Sequence, residues 1–206
     1  MAGEGMYRWR GMTAEQRRTA LEYRRRHRLP WHSPPHYSSE TGVYLMTAAC
    51  FENRHVIGHT PERMAAFEQA LLETSRAHCD QLFAWTVLPN HYHTLVKTGD
   101  VKGLLAGLGR LHGRTSFQWN GEEGCRGRKV WFNTTETGMK SERHYWATFL
   151  YVLHNAVKHG YVSRWQDWPF CNAQMVLDHI GRDEAVRLWH EYPIDEYGAK
   201  WDPPEL

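Results

Sequence analysis

The chain has 206 residues, 41% hydrophobic and 23% charged, with a formal net charge of +2, which is the composition of a folded protein and not of a disordered or fibrous one. It holds no run of about 18 apolar residues, and its opening MAGEGMYRWRGM lacks the apolar stretch of a signal peptide, so no spanning helix is expected and a cytoplasmic location is. Cys50, Cys79, Cys125 and Cys171 form no CxxC pair, which argues for reduced thiols and against a cysteine-zinc site.

The first predicted element is a helix over residues 13–28, opened by Thr13 with Gln16 three positions on, the capping-box pattern. It carries the arginine-dense RRTALEYRRRHR, Arg17 to Arg28, whereas the tail DEYGAKWDPPEL is acidic; this asymmetry suits a polyanion at one end or a solvated helix face. LPWHSPPHYSS then reads as a linker. A buried strand is predicted over Val43 to Phe51, followed by a helix starting at Thr60-Pro61-Glu62, with Met64, Phe67 and Leu71 on its core face. QLFAWTVL and HYHTLVKT form a hairpin around Pro89-Asn90. A glycine-interrupted helix carrying Arg110 and Arg114 comes next, then the basic loop RGRKVWFNTT with Arg126, Arg128 and Lys129, running into a possible short strand. A long helix runs from Ser141 to about His159 with Gly160 as its stop, and RDEAVRLWHEY forms a short amphipathic helix near the end. The resulting organisation is a basic extension and linker over 1–35, a domain over 36–173 and an accessory extension over 174–206.

His91 and His93 lie at i and i+2 of a predicted strand, so both side chains share one face at roughly 6–7 Å, close enough to converge on one metal ion. Tyr92 points the other way. By itself an HxH pair is more often structural than metal-binding, and it does not name its metal. In the long helix, Trp146, Phe149, Leu150, Leu153 and Val157 form a core stripe. The opposite face carries His144, Thr148, Tyr151, Asn155 and Lys158, which alone reads as a solvated polar face.

LPNHYH, followed some fifty residues later by YVLHNAVKHGYV and then DWPF, resembles the REP-associated tyrosine transposases, single-tyrosine HUH nucleases related to bacterial insertion-sequence transposases. The resemblance covers roughly Tyr37 to Ala173. It implies an α+β fold, an RRM-like antiparallel sheet with helices on one side, here with helical N- and C-terminal extensions. It also implies that His91 and His93 bind a divalent metal, Mg²⁺ or Mn²⁺, with Asn155 as third ligand, and that Tyr151 is the nucleophile. The implied reaction cleaves and rejoins single-stranded or hairpin DNA, such as repetitive extragenic palindromes, through a 5′-phosphotyrosine link. Arg110, Arg114, Arg126, Arg128, Lys129 and Lys158 are the expected DNA contacts, in a monomer or homodimer associated with the bacterial nucleoid. Ala156 stands where the family usually has proline, and FNTTETG replaces the family's aromatic pair and histidine. The alternatives are a domesticated hairpin-binding protein that does not cut, and a metal-dependent hydrolase unrelated to DNA.

Overall fold

The computed structural model arranges four strands as one antiparallel sheet in the order β2-β3-β1-β4, three of them rich in apolar residues and the fourth the polar TETG. The structure describes residues 42–194 together with Thr13, Glu15, Gln16, Arg18, Thr19 and Glu22. The strands are β1 (Val43–Ala49), β2 (Gln81–Val87), β3 (His91–Lys97) and β4 (Thr135–Gly138). Helix α1 (Pro61–Arg76) joins β1 to β2, and α2 (Val101–Glu122) joins β3 to β4, giving two interleaved split βαβ units. The fold is α+β, as the sequence led us to expect.

The helix ends follow local chemistry. Thr60 Oγ1 accepts from the Arg63 N–H ahead of Pro61, and the Asp100 side chain accepts from the Gly103 N–H at the start of α2. Helix α3 (Glu142–Lys158) is capped by Ser141, which accepts from the His144 N–H, and ends before Gly160 at φ 73°, a left-handed position suited to glycine. The Thr13 capping box is present too, with reciprocal bonds of 2.8 and 3.2 Å to Gln16. The rest of the 13–28 helix, most of its arginine cluster, the linker and residues 195–206 lie outside the described residues.

Strand alternation divides the core in two. Tyr44, Met46, Tyr92 and Val96 pack under α1 and α2 with Phe67, Leu71, Leu108 and Trp119. Val43, Leu45, Ala84 and Leu95 face the other way, against Phe149, Leu150, Val152 and Leu153 of α3. Helices therefore cover both faces of the sheet, which corrects the expectation of one. The physical reason is that six of the seven β3 residues are buried, so the sheet has no solvent face.

Two further helices, α4 (Ala173–Ile180) and α5 (Arg182–Glu191), pack onto α3, and Ala173, Val176, Ile180 and Leu188 join the second core. Of residues 174–194, expected to form an accessory extension, Val176, Ile180, Leu188, Tyr192 and Ile194 pack on that core while most of the others are exposed. This also encloses α3: Thr148, Tyr151 and Asn155, expected on a solvated face, are buried, whereas Trp146 and Val157 of the expected core stripe are half-buried. The helix lies between the sheet and the C-terminal helices, so its polar side meets polar side chains of β3 instead of water. Among the described residues no helix is long and apolar enough to cross a membrane.

Candidate active site

Strand β3 aims His91 and His93 toward α3, and α3 answers with Tyr151 and Asn155. His91 Nε2 lies 3.1 Å from Asn155 Oδ1, and the Tyr151 hydroxyl lies 3.4 Å from His93 Nε2. The two imidazole centroids are 5.1 Å apart, and all four residues are buried, with Tyr151 1% and Asn155 0% exposed. Lys158, itself exposed, holds its ammonium 4.9 Å from the Tyr151 ring centroid. The structure thus brings together every residue expected in the catalytic and metal positions, on a strand and a helix distant in sequence.

The outer partners of the two histidines differ in kind. Asn90 Nδ2 donates to the Asn53 carbonyl at 3.3 Å, which turns its Oδ1 toward His91 Nδ1 at 2.7 Å. An amide oxygen only accepts, so His91 Nδ1 carries the proton. His93 Nδ1 instead meets the Thr47 hydroxyl at 2.8 Å, and a hydroxyl both donates and accepts. Thr47 is the cross-strand partner of His93. A fourth ring, His159, packs edge-on against His91 at 4.9 Å between centroids.

These donors suit a divalent cation. Two ligand atoms 3.1 Å apart match the separation of about 3 Å that neighbouring ligands take around an octahedral ion with bonds of about 2.1 Å. Asn155 Nδ2 is buried without a hydrogen-bond partner, and its Oδ1 faces the unprotonated Nε2 of His91. Among the described residues no three His, Cys, Asp or Glu side chains gather around one point, so a cation here would draw on the amide oxygen as well as the imidazoles.

The expected DNA contacts are dispersed. Arg110 and Arg114 are exposed on α2, across the sheet from the histidines. Arg126 stacks 4.1 Å over Phe117, itself 71% exposed, and donates to its carbonyl. Arg128 is committed to Glu123 at 2.7 Å and Asn120 at 2.9 Å, holding the loop after α2. Lys129 lies over the rings of Phe51 and Phe132 at 4.8 and 5.3 Å. Of the six cations only Lys158 adjoins the histidine cluster.

Sequence reasoning missed Asn90, Thr47 and His159. His159 carried a signal, one helical turn beyond Asn155. Asn90 looked like an ordinary turn residue, and Thr47 is identified only by strand register.

A curated relative, the REP-associated tyrosine transposase of Escherichia coli (strain K12), is 25% identical over 167 residues, covering 81% of this chain and 91% of the relative. The chain is similar to the REP-associated tyrosine transposases. The solved structure of a REP-associated tyrosine transposase bound to a REP hairpin superposes with a TM-score of 0.53 at 22% identity, covering 85% of this chain and 96% of that one. At that identity the likeness shows the shared fold. No protein-family profile matches the sequence.

Proposed function

We propose that the protein cleaves and rejoins single-stranded or hairpin DNA, with Tyr151 as nucleophile and repetitive extragenic palindromes as the substrate class. The observation that carries this reading is the tyrosine hydroxyl 3.4 Å from one imidazole of a His91, His93, Asn155 donor set. A phenol with an ordinary pKa near 10 is a weak nucleophile at neutral pH, so its position must supply what its acidity does not. His91, His93 and Asn155 would hold a divalent cation, Mg²⁺ or Mn²⁺, and when bound it supplies Lewis-acid polarisation of the scissile phosphate.

Tyr151 oxygen bonds to phosphorus, the bond from phosphorus to the 3′ oxygen breaks, and the phenolic proton ends on the leaving 3′ oxygen. The 5′-phosphotyrosine retains a phosphodiester, so a second 3′-hydroxyl can reverse the step without ATP. His93 engages Thr47 through Nδ1, so its Nε2 serves either as a ligand or as acceptor of the phenolic proton, not both at once. Lys158 places positive charge over the Tyr151 ring, where it favours a developing phenolate. Because Tyr151 is buried, the C-terminal end of α3 or its neighbours must move to admit a phosphate.

That burial favours a second reading, a hairpin-binding protein that does not cut. Incubation of the protein with Mn²⁺ and a labelled hairpin oligonucleotide separates the two. We expect a labelled protein band that survives SDS; a gel shift without such a band would leave the binding reading standing and overturn cleavage.

A further inference from the structure

We infer that Asn90 is a positioning residue that fixes the tautomer of His91. Asn90 holds the proton on Nδ1 and leaves the Nε2 lone pair directed at Asn155. The inference deepens the metal-site reading proposed above and rests on it only for the affinity predicted below.

The constraint on Asn90 originates in the turn after β1. Glu52 and Asn53 both adopt left-handed backbone angles, φ 58° and 52°, which residues with side chains seldom take in succession. The turn is fastened to the segment before β3 at several points. Cys50 N–H donates to the Asn90 carbonyl at 2.6 Å, Gly58 N–H donates to the Pro89 carbonyl at 2.9 Å, and a Cβ at Gly58 would lie 2.3 Å from the Pro89 ring. With its backbone held this way, the Asn53 carbonyl faces Asn90 Nδ2 at 3.3 Å. A carbonyl cannot donate, so the Asn90 amide cannot reverse without setting two acceptors against each other. Its Oδ1 is thereby committed to His91 Nδ1 at 2.7 Å, and a neutral His91 carries its lone pair on Nε2, 3.1 Å from Asn155 Oδ1. Asn90 is 1% exposed, so water does not compete for these bonds.

Two acceptor atoms facing each other at 3.1 Å are unfavourable unless something positive lies between them, the Asn155 amide turns over, or the ring gains a second proton. Asn90 thus prepares His91 as a ligand before any ion arrives. His93, whose Nδ1 partner is the Thr47 hydroxyl, is not constrained in this way.

The test reads the ring directly. Nitrogen-15 correlation spectra of the full-length metal-free protein, with neutral His91, should show the Nδ1–H form in the wild type. Asn90→Leu should lose that preference, and Mn²⁺ affinity, followed by the electron spin resonance of free Mn²⁺, should fall by about 10- to 100-fold, as is usual when a ligand loses its outer hydrogen-bond partner. Asn90→Asp loses the bond to the Asn53 carbonyl but keeps an acceptor for His91, and should still give the Nδ1–H form. Thr47→Val should leave the His91 tautomer unchanged. Wild-type His91 found as Nε2–H, or Asn90→Leu retaining both tautomer and affinity, would overturn the inference. Wild-type protein that holds His91 as Nδ1–H but binds no Mn²⁺ would support the role of Asn90 while overturning the cation assignment.

Discussion

At the scale of single residues, the candidate site combines side chains that motif resemblance brought to notice with a burial that it did not. His91, His93, Tyr151 and Asn155 were legible because LPNHYH and YVLHNAVKHGYV resemble motifs of the REP-associated tyrosine transposases; i, i+2 on a strand and i, i+4 on a helix gave only two shared faces. Their burial was not, because a helical wheel reports polarity and not which layer lies opposite. Tyr151→Phe accordingly removes a buried hydroxyl with a long 3.4 Å contact, not a solvated one. We expect a stability change of about 0.5–1.5 kcal/mol, with hairpin binding retained and covalent capture lost. Urea denaturation beside the adduct gel checks this, and a loss of several kcal/mol would mean that the phenol holds the core and not the substrate. Asn90 and Thr47 escaped sequence reading for a tertiary reason: one acts through a turn built from a different segment, the other through strand register.

Among the elements, β1 to β3 and α1 to α3 follow closely from apolar pattern and helix signals and β4, the polar TETG, only as a possible short strand, whereas α4 had no strong start signal, since Asn172 spends its side chain on β2 and not on capping. The role of the C-terminal helices was illegible because their apolar residues need α3 as a partner before they count as core. Leu188 is 1% exposed within that packing, so Leu188→Ala should cost about 2–5 kcal/mol by the same urea measurement. A cost below about 0.5 kcal/mol would return α5 to an accessory role. Helix α2 makes a separate claim. Arg110 and Arg114 lie across the sheet from the histidines, so neutralising them should affect DNA binding alone. If both touch phosphate, each loss flattens the plot of log affinity against log salt by about 0.7 for single-stranded DNA, and Mn²⁺ affinity stays constant. An unchanged slope would make them solvated surface charge.

For the whole molecule, stability should titrate in two acid steps. Burial lowers the pKa of His112 and of His154 to about 4, below the ordinary value of about 6.5. The unfolded chain therefore binds protons that the folded one refuses, and stability falls as pH drops from about 6.5 toward 4. Glu123 behaves oppositely: the hydrogen bond from Arg128, reinforced by Arg63, holds its carboxyl at about 2. Its contribution is complete above the unfolded value of about 4.3 and is lost as pH falls toward 2. Urea midpoints across this range should show His154→Gln flattening the upper step and Glu123→Gln the lower; unaltered profiles would contradict both. If this sheet and helix present Tyr151 to a phosphodiester, as proposed, peptide mapping of the trapped protein will locate the bond there. After reaction with a hairpin oligonucleotide and Mn²⁺, digestion and mass spectrometry should find the 5′-phosphoryl nucleotide on the peptide containing Tyr151, and none in the Tyr151→Phe protein. Nucleotide on Tyr92, Tyr145 or Tyr161, or an undiminished adduct in the Tyr151→Phe protein, would contradict the account.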